Sequence, residues 1–257
     1  MRAPVTYALM DPSGNRTILV TSPVAPEDRA AVAARLMTLE PTAEQTGFLS
    51  LEDGVCLQMA GGEFCGNATM SAAVYAAMRR GESGGKFLVH ISGAAGPVPA
   101  EVLRRGDVWQ GTVEMPKPVS VAEVTFPDGQ RLPVAAFPGI SHVILDGPVD
   151  RKEAEAAVRT WCSFLNADAL GLLFLDRTAG TLTPLVFVPA AGTLFWESAC
   201  GSGTAAVGAW LAKQRGKTVT HALRQPGGVL TVMADPGGKI LLQGTVKCLG
   251  EKTALPE

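Results

Sequence analysis

Two short segments of the sequence repeat one pattern, and this repeat limits the possible folds more than any other feature. The segments read CGNAT at 65–69 and CGSGT at 200–204. In each copy an aromatic residue stands ten positions after the cysteine and a glycine sixteen positions after it, with basic residues before that glycine. A basic last turn followed by glycine is typical of a helix C-terminus. The repeat therefore predicts two helices of one design, about half the chain apart.

Most of the remaining sequence reads as short strands, which are rich in Val, Leu, Ile and Thr and bounded by turn-forming residues. Two further helices are predicted. Glu27–Met37 follows a proline, and Asp150–Leu165 carries an apolar stripe with a period of 3.6 residues. We expect an α+β fold of two similar lobes, residues 1–117 and 118–257, joined near MPKPVSV at 115–121.

Composition excludes several classes of protein. A chain that is 47% hydrophobic and 18% charged does not have the composition of a disordered protein. Its net charge of −2 provides no basic excess for nucleic-acid backbones. No apolar run reaches the roughly 18 residues of a membrane-spanning helix, and the first residues lack a signal-peptide core. We therefore expect a cytoplasmic protein that binds neither nucleic acid nor membrane.

The five cysteines are widely spaced and odd in number, and no CxxC or CxxH pair occurs. Neither a zinc site nor a disulfide framework is expected from this spacing. Three cysteines are interpreted as small core hydrophobes: Cys56, Cys162 and Cys248.

Cys65 and Cys200 differ because each is expected to stand at a helix N-terminus. Unpaired N–H groups and the positive end of the helix dipole favour an anion there, so we expect a lowered thiol pKa. The neighbouring small residues would let a carboxylate approach the backbone N–H groups. If the two lobes face each other, one thiolate can remove a proton next to a carboxylate while the opposite thiol returns one, which inverts the carbon. A redox dithiol pair is the alternative, although such pairs are usually close in sequence.

The motifs around both cysteines resemble the two active-site signatures of the diaminopimelate epimerase superfamily, whose members are cofactor-independent amino-acid racemases and epimerases. The matching segments are EFCGNATMS at 63–71 and ESACGSGTA at 197–205. PSGNRTILV at 12–20 resembles the first strand of that family, whose substrate-contacting asparagine would be Asn15 here. With EQTGF at 44–48 and RQPGGVLTV at 224–232, the chain is most similar to histidine racemases of staphylopine-type metallophore pathways.

This resemblance implies two pseudo-symmetric lobes, each a β-barrel-like sheet around a central helix. It also implies catalytic Cys65 and Cys200, no pyridoxal phosphate or other cofactor, no metal, an amino-acid substrate and a homodimer. Residues 192–197 lack the arginine with which diaminopimelate epimerases hold the distal carboxylate, and Ile140 replaces a polar asparagine. A single-headed amino acid is therefore expected, and histidine rests on the resemblance alone. Diaminopimelate, proline or hydroxyproline epimerisation and non-catalytic amino-acid binding remain alternatives.

The candidate substrate-binding residues are polar or small and lie in or beside these motifs: Asn15, Glu44, Gly66, Asn67, His142, Glu197, Gly201, Ser202 and Gly203. Glu44 could meet a substrate amine or imidazole, or could be a solvated loop carboxylate. Glu197 could pair with the substrate ammonium, or could simply favour the helix N-terminus. For His142, a buried strand histidine is the more common alternative.

Overall fold

The computed structural model describes residues 4–255, which divide into two compact units. One unit contains the residues up to Glu114 together with those from Gln243 onward, and the other is Met115–Leu242. The C-terminal segment therefore groups with the N-terminal unit, whereas the sequence-based division assigns it to the second lobe. Within the described range no helix is both long and apolar enough to cross a membrane.

The N-terminal unit is built from seven strands and two helices, followed at the end of the chain by most of a sixteenth strand. In chain order these are β1 Val5–Pro12, β2 Thr17–Val20, α1 Arg29–Leu39, β3 Gln45–Ser50, β4 Val55–Met59, α2 Gly66–Arg79, β5 Gly84–Ile91, β6 Val98–Arg105 and β7 Val108–Met115.

The second unit has eight strands and two helices, and β16 begins in it before returning to the first unit. Its elements are β8 Ser120–Thr125, β9 Arg131–Phe137, β10 Ile140–Asp146, α3 Arg151–Leu165, β11 Leu170–Asp176, β12 Thr181–Val188, β13 Thr193–Trp196, α4 Gly201–Arg215, β14 Val219–Gln225, β15 Gly228–Ala234 and β16 Ile240–Ala254.

The sheet of the N-terminal unit is a closed barrel. Its strand order is β1-β2-β3-β4-β5-β6-β7-β16, and β16 also pairs with β1. Closure removes the free sheet edges at which unpaired backbone groups would remain. Two pairs, β2–β3 and β4–β5, are parallel, and their crossovers are the helices α1 and α2.

Helix α2 contacts β1, β2, β4, β5 and β6, and every residue from Gly66 to Ala77 is buried. A helix that is buried all round must be apolar or small on every face, and the run of Ala, Ser, Thr and Gly in α2 meets this requirement. Gly111 of β7 permits the close approach, since a Cβ there would lie 3.1 Å from Cβ of Met70.

The second unit repeats the same succession of pairings. Strands β9–β10 are antiparallel, β10–β11 parallel, β11–β12 antiparallel and β12–β14 parallel. Helix α4 is the crossover between β12 and β14 and is buried from Gly203 to Ala212, as α2 is in the first unit. Helix α3 instead presents Val158, Trp161 and Cys162 to an apolar cluster of the sheet. The α+β class with a helix-centred sheet is confirmed.

The structure corrects several sequence-based predictions in detail. Two strands were not predicted: β6 and β14. Pro99 stands at the second position of β6, and proline is unusual inside a strand. The predicted helix Glu27–Met37 begins as a single 3-10 turn, and α1 proper starts at Arg29. The turn-forming segments DGQ at 128–130 and PGG at 226–228 each lie between two antiparallel strands, as is typical of hairpin turns.

Candidate active site

One end of the first barrel carries all the candidate residues of the N-terminal unit. The starts of β2 and β3 lie side by side because these strands are parallel, with Thr17 opposite Gln45. The end of β4 joins them, since Met59 lies opposite Gly47 in the antiparallel β3–β4 pair. The segment between β4 and α2 leaves the sheet at this end, so it brings Cys65 to the same edge as Asn15 and Glu44.

Cys65 is the N-cap residue of α2. Its backbone is extended (φ −136°, ψ 114°), and its Sγ accepts the N–H of Ala68 at 3.4 Å. Thr69 donates its N–H and its hydroxyl to the carbonyl oxygen of Cys65, at 2.9 and 2.7 Å. The sulfur accepts the N–H of the third helical residue, and the first two helical residues are Gly66 and Asn67. A helix N-terminus of this kind favours an anion such as a carboxylate.

The loop that carries Cys65 is held by the neighbouring strand end. Ser92 accepts the N–H of Met59 at 2.9 Å and donates its hydroxyl to the carbonyl of Glu63 at 3.0 Å. Gly93 lies so close that a Cβ would stand 2.3 Å from the backbone nitrogen of Phe64. This support was not predicted from sequence, since nothing in the local pattern links residues 92–93 to the cysteine motif.

Asn15 and Glu44 are brought together. The side-chain amide of Asn15 donates to Glu44 Oε2 at 2.5 Å, and its carbonyl oxygen accepts from the side chain of Gln45 at 2.6 Å. Gln45 also donates to Thr17 Oγ1 at 2.8 Å. Asn15 therefore orients the carboxylate of Glu44 at the barrel end, a relation that two residues 29 positions apart do not reveal in the sequence.

Cys200 occupies the equivalent position in the second unit. It is the N-cap residue of α4, with an extended backbone (φ −103°, ψ 108°), and its Sγ accepts the N–H of Gly203 at 3.3 Å. Thr204 donates its hydroxyl to the Cys200 carbonyl at 2.7 Å, as Thr69 does for Cys65. At Gly203 a Cβ would stand 2.6 Å from Leu173 Cδ2 and 3.1 Å from Cys200 Sγ, so a larger residue would have to displace the leucine side chain.

The expected lowering of the thiol pKa is wrong for Cys200. Burial raises the pKa of the Cys200 thiol well above its ordinary value, and the charge and hydrogen bond of the Glu197 carboxylate raise it further. The hydrogen bonds from Ser202 and from the Gly203 N–H oppose this effect but are outweighed. The helix N-terminus is thus only one influence on the pKa of the Cys200 thiol, and the desolvation of the buried sulfur outweighs it.

His142 and Ser202 connect to Cys200. The ring of His142, on β10, is fully buried, and its Nε2 lies 3.0 Å from Ser202 Oγ. Ser202 Oγ in turn lies 3.5 Å from Cys200 Sγ. Burial lowers the pKa of His142 to about 3, so the ring is neutral at physiological pH.

Gln225, at the end of β14, was not predicted as a site residue. Its Oε1 accepts the backbone N–H of Cys200 at 2.8 Å, and its Nε2 donates to Thr204 Oγ1 at 2.8 Å. The side chain is only 4% exposed. Nothing in the sequence revealed it, because β14 was not predicted and the contact joins residues 25 positions apart.

The structure thus groups the candidates within each unit. Asn15, Glu44, Cys65, Gly66 and Asn67 share one barrel end. The candidates of the second unit are linked through side-chain or backbone contacts to the turn of Cys200: His142, Glu197, Gly201, Ser202 and Gly203. Their roles toward substrate stay predictions. In residues 4–255 no group of three or more His, Cys, Asp or Glu side chains is placed to hold a metal ion.

The chain matches one family model and is similar to several known proteins. Residues 4–253 match the family model described as "Histidine racemase CntK N-terminal domain". The histidine racemase of Staphylococcus aureus (strain Mu50 / ATCC 700699) is 30% identical over 263 residues, covering 96% of this chain and 94% of that protein. The histidine racemase of Fusobacterium nucleatum subsp. nucleatum (strain ATCC 23726 / VPI 4351) is 27% identical over 255 residues, covering 95% of each.

A solved structure of similar fold is the phenazine biosynthesis protein of the PhzF family from Bacillus anthracis. It covers 99% of this chain and 100% of its own, with a TM-score of 0.71 and 16% sequence identity. This likeness concerns the fold, whereas the family match rests on sequence along nearly the whole chain. On that basis, the chain belongs to the histidine racemase family of enzymes.

Proposed function

We propose that this enzyme inverts histidine at Cα without a cofactor, using the sulfur atoms of Cys65 and Cys200 as its two acid/base groups. The observation that carries the proposal is the identical placement of the two sulfurs. Each caps a helix N-terminus and accepts the N–H of the third helical residue, at 3.4 Å in one unit and 3.3 Å in the other. In a two-base racemisation each group acts as acid in one direction and as base in the other, and two groups of one type in equivalent positions suit this exchange.

In the proposed reaction, one cysteine acts as thiolate and takes the Cα proton of the bound amino acid. The electron pair left at Cα delocalises into the carboxylate, and the opposite cysteine, as thiol, delivers its proton to the other face. The N–H groups at the two helix N-termini stabilise the growing carboxylate charge. The scheme requires both sulfurs to reach the same Cα from opposite sides.

Cys200 suits the thiol role at the start of a turnover. Burial and the Glu197 carboxylate raise its pKa, so the resting enzyme holds a proton there at neutral pH. In this scheme Cys65 is the base that starts the reaction from one enantiomer. Microscopic reversibility then makes Cys200 the base for the other enantiomer.

Glu44 is proposed to recognise the cationic part of the substrate. Its carboxylate is fixed by the amide of Asn15 at the barrel end that carries Cys65. A carboxylate in a fixed position can accept a hydrogen bond from an ammonium group or from an imidazole N–H. Histidine offers both groups, and the names of the curated relatives support it as the substrate.

The assay for the proposal incubates the purified chain with L-histidine in deuterated water. We expect D-histidine to form, with deuterium at Cα, as detected by chiral chromatography and mass spectrometry. Cys65→Ser and Cys200→Ser should each lower two-way racemisation by about 10²–10⁴-fold, because a serine hydroxyl is a far weaker acid than a thiol. Cys56→Ser and Cys248→Ser are matched controls outside both helix N-termini and should leave activity intact.

The same assay separates this proposal from its rivals. Full two-way activity in either cysteine variant contradicts the two-base scheme. Binding of histidine without any Cα exchange would identify a non-catalytic binding protein. Equal turnover of diaminopimelate, proline or hydroxyproline would overturn the substrate assignment while leaving the chemistry in place.

The proposal also covers the cellular compartment, the oligomeric state and the pathway of the enzyme. All five cysteines lie within the described residues and none forms a disulfide, which suits a reducing cytoplasm. A homodimer and a place in metallophore biosynthesis are proposed from the family resemblance. Sedimentation of the purified chain tests the dimer directly.

A further inference from the structure

We propose that His142 is a positioning residue that fixes the direction of the hydrogen bond between Ser202 and Cys200 Sγ, so that Ser202 donates to the sulfur. This inference rests on the proposed acid/base role of Cys200. It assigns His142 a role through Ser202, in place of contact with the substrate.

The three groups form a continuous chain inside the second unit. His142 Nε2 lies 3.0 Å from Ser202 Oγ, and Ser202 Oγ lies 3.5 Å from Cys200 Sγ, within the longer range usual for sulfur. A hydroxyl can donate only once, so it can serve either the histidine or the sulfur as a donor. The tautomer of His142 decides which.

The surroundings of His142 determine that tautomer. Its Nδ1 is buried and has no hydrogen-bond partner. A buried N–H without an acceptor is rarer in proteins than a bare acceptor atom without a donor. The single proton of the neutral ring therefore belongs on Nε2, from where it is donated to Ser202 Oγ. The hydroxyl hydrogen of Ser202 is then left to point at Cys200 Sγ.

The position of the ring is specified by the fold. His142 on β10 lies opposite Gly171 on β11, and a Cβ at Gly171 would stand 2.1 Å from His142 Nδ1. No residue larger than glycine fits there without displacing the ring. The absence of a side chain at Gly171, 29 positions away in sequence, thus provides the space that the His142 ring fills.

The arrangement gives Cys200 a partner for each protonation state. The titratable groups that face it are Glu197 directly and His142 through Ser202. Glu197 accepts a hydrogen bond from the thiol and stabilises the protonated form, while Ser202 and the Gly203 N–H donate to the sulfur and stabilise the thiolate. A sulfur that must alternate between acid and base needs both kinds of partner.

The test measures the thiolate fraction of Cys200 without turnover. Iodoacetamide labelling of Cys200 is followed by peptide mass spectrometry between pH 7 and 9.5, since only the thiolate reacts. Ser202→Ala should slow labelling of Cys200 by about tenfold through loss of one hydrogen bond to a charged group. His142→Phe should slow it by a smaller factor, because the Ser202 hydroxyl remains but is no longer directed at the sulfur. The double variant should be no slower than Ser202→Ala alone, because His142 acts on Cys200 only through the Ser202 hydroxyl.

Two further variants and two controls sharpen the comparison. His142→Gln keeps an N–H donor near the position of Nε2 and should restore much of the labelling rate. Gly171→Ala should reproduce the His142→Phe defect by displacing the ring. His221→Phe, the same change at a partly exposed histidine on β14, should leave Cys200 unaffected, and Cys248 labelling should be constant throughout.

The labelling results can be told apart from a failure of the proposed function. Independent, multiplicative effects of His142→Phe and Ser202→Ala, or an unchanged labelling rate in folded Ser202→Ala, would overturn the proposal. Should His142→Phe fail to fold, Ser202→Ala and His142→Gln still decide between these results. If the two variants showed a coupled effect on labelling but the protein did not racemise histidine, the proposed function would be refuted. The hydrogen bonds from His142 through Ser202 to Cys200 would still stand.

Discussion

At the scale of single residues, the turn that presents Cys200 depends on a side chain far from it in sequence. Gln225 satisfies the backbone N–H of Cys200 and the hydroxyl of Thr204, which in turn donates to the Cys200 carbonyl. All of these groups are buried, so water cannot replace the glutamine. The position of one sulfur is thus tied to the end of a neighbouring strand.

Gln225→Leu should lower the free energy of unfolding by about 1–3 kcal/mol, because it leaves the buried N–H of Cys200 without an acceptor and the buried Thr204 Oγ1 without the donor from Gln225. It should also lower kcat more than it changes KM, since the helix start that holds the sulfur loses an anchor. Urea denaturation and steady-state kinetics measure both effects. Gln130→Leu is the matched control in an exposed turn, and equal effects of the two substitutions would refute the assigned role.

At the scale of elements, the first helix, the first strand and the last strand of the N-terminal unit meet at Glu40. This residue is the C-cap of α1, where the helix dipole disfavours a negative charge. Tyr7 of β1 and Lys252 of β16 compensate by donating to its Oε1, at 2.8 and 2.6 Å. Burial raises the pKa of Tyr7 to about 12, and its bond to Glu40 acts in the same direction.

This cluster predicts a pH-dependent contribution to stability. Burial would raise the pKa of Glu40, but the hydrogen bonds from Lys252 and Tyr7 outweigh it and hold the pKa below 4.5. A carboxylate with a lowered folded-state pKa stabilises the fold above its unfolded-state pKa, and this contribution is lost as the pH falls through the folded value.

Glu40→Gln should therefore destabilise the chain by about 1 kcal/mol at pH 7, a modest value because Lys252 is half-exposed. The difference from the unsubstituted chain should shrink as the pH falls below 4.5. Urea midpoints at pH 7, 5 and 3.5 measure this, with the exposed Glu52→Gln as control. A difference that persists undiminished at pH 3.5 would contradict the assigned pairing.

At the scale of the whole molecule, the last strand is the element that links the end of the chain to its beginning. β16 starts in the second unit, continues into the first and pairs with β1 from Val5↔Ala254 to Pro12↔Val246. One irregularity interrupts this register between Leu9 and Met10, where Leu249 is passed over. Gly250 beside it has φ +127°, a conformation that side chains disfavour.

Gly250→Val should lower the free energy of unfolding by about 1–3 kcal/mol, because valine is strained at this φ and the barrel closes through this pairing. Thermal and urea denaturation provide the measurement. Lys247→Val, an exposed position on the same strand, is the control and should change stability little. If both variants were equally stable, the bulge would not depend on glycine.

The sequence by itself determined the features that depend on neighbours within a few positions. The two helix starts at Cys65 and Cys200, the hairpin turns and the N-cap of α3, where Asp150 accepts the N–H of Glu153, follow from local hydrogen bonds and local backbone preferences. The resemblance of the two cysteine motifs also identified the family, since the residues that carry it are contiguous.

Only the tertiary structure decided what depends on distant groups. Strands such as β14, the pairing of Asn15 with Glu44 and the support of Cys200 by Gln225 arise from residues that folding alone brings together. The raised pKa of the Cys200 thiol belongs here as well, because burial and the Glu197 carboxylate outweigh the helix start that the local pattern indicates. Desolvation depends on everything that surrounds an atom, and no stretch of sequence contains that information.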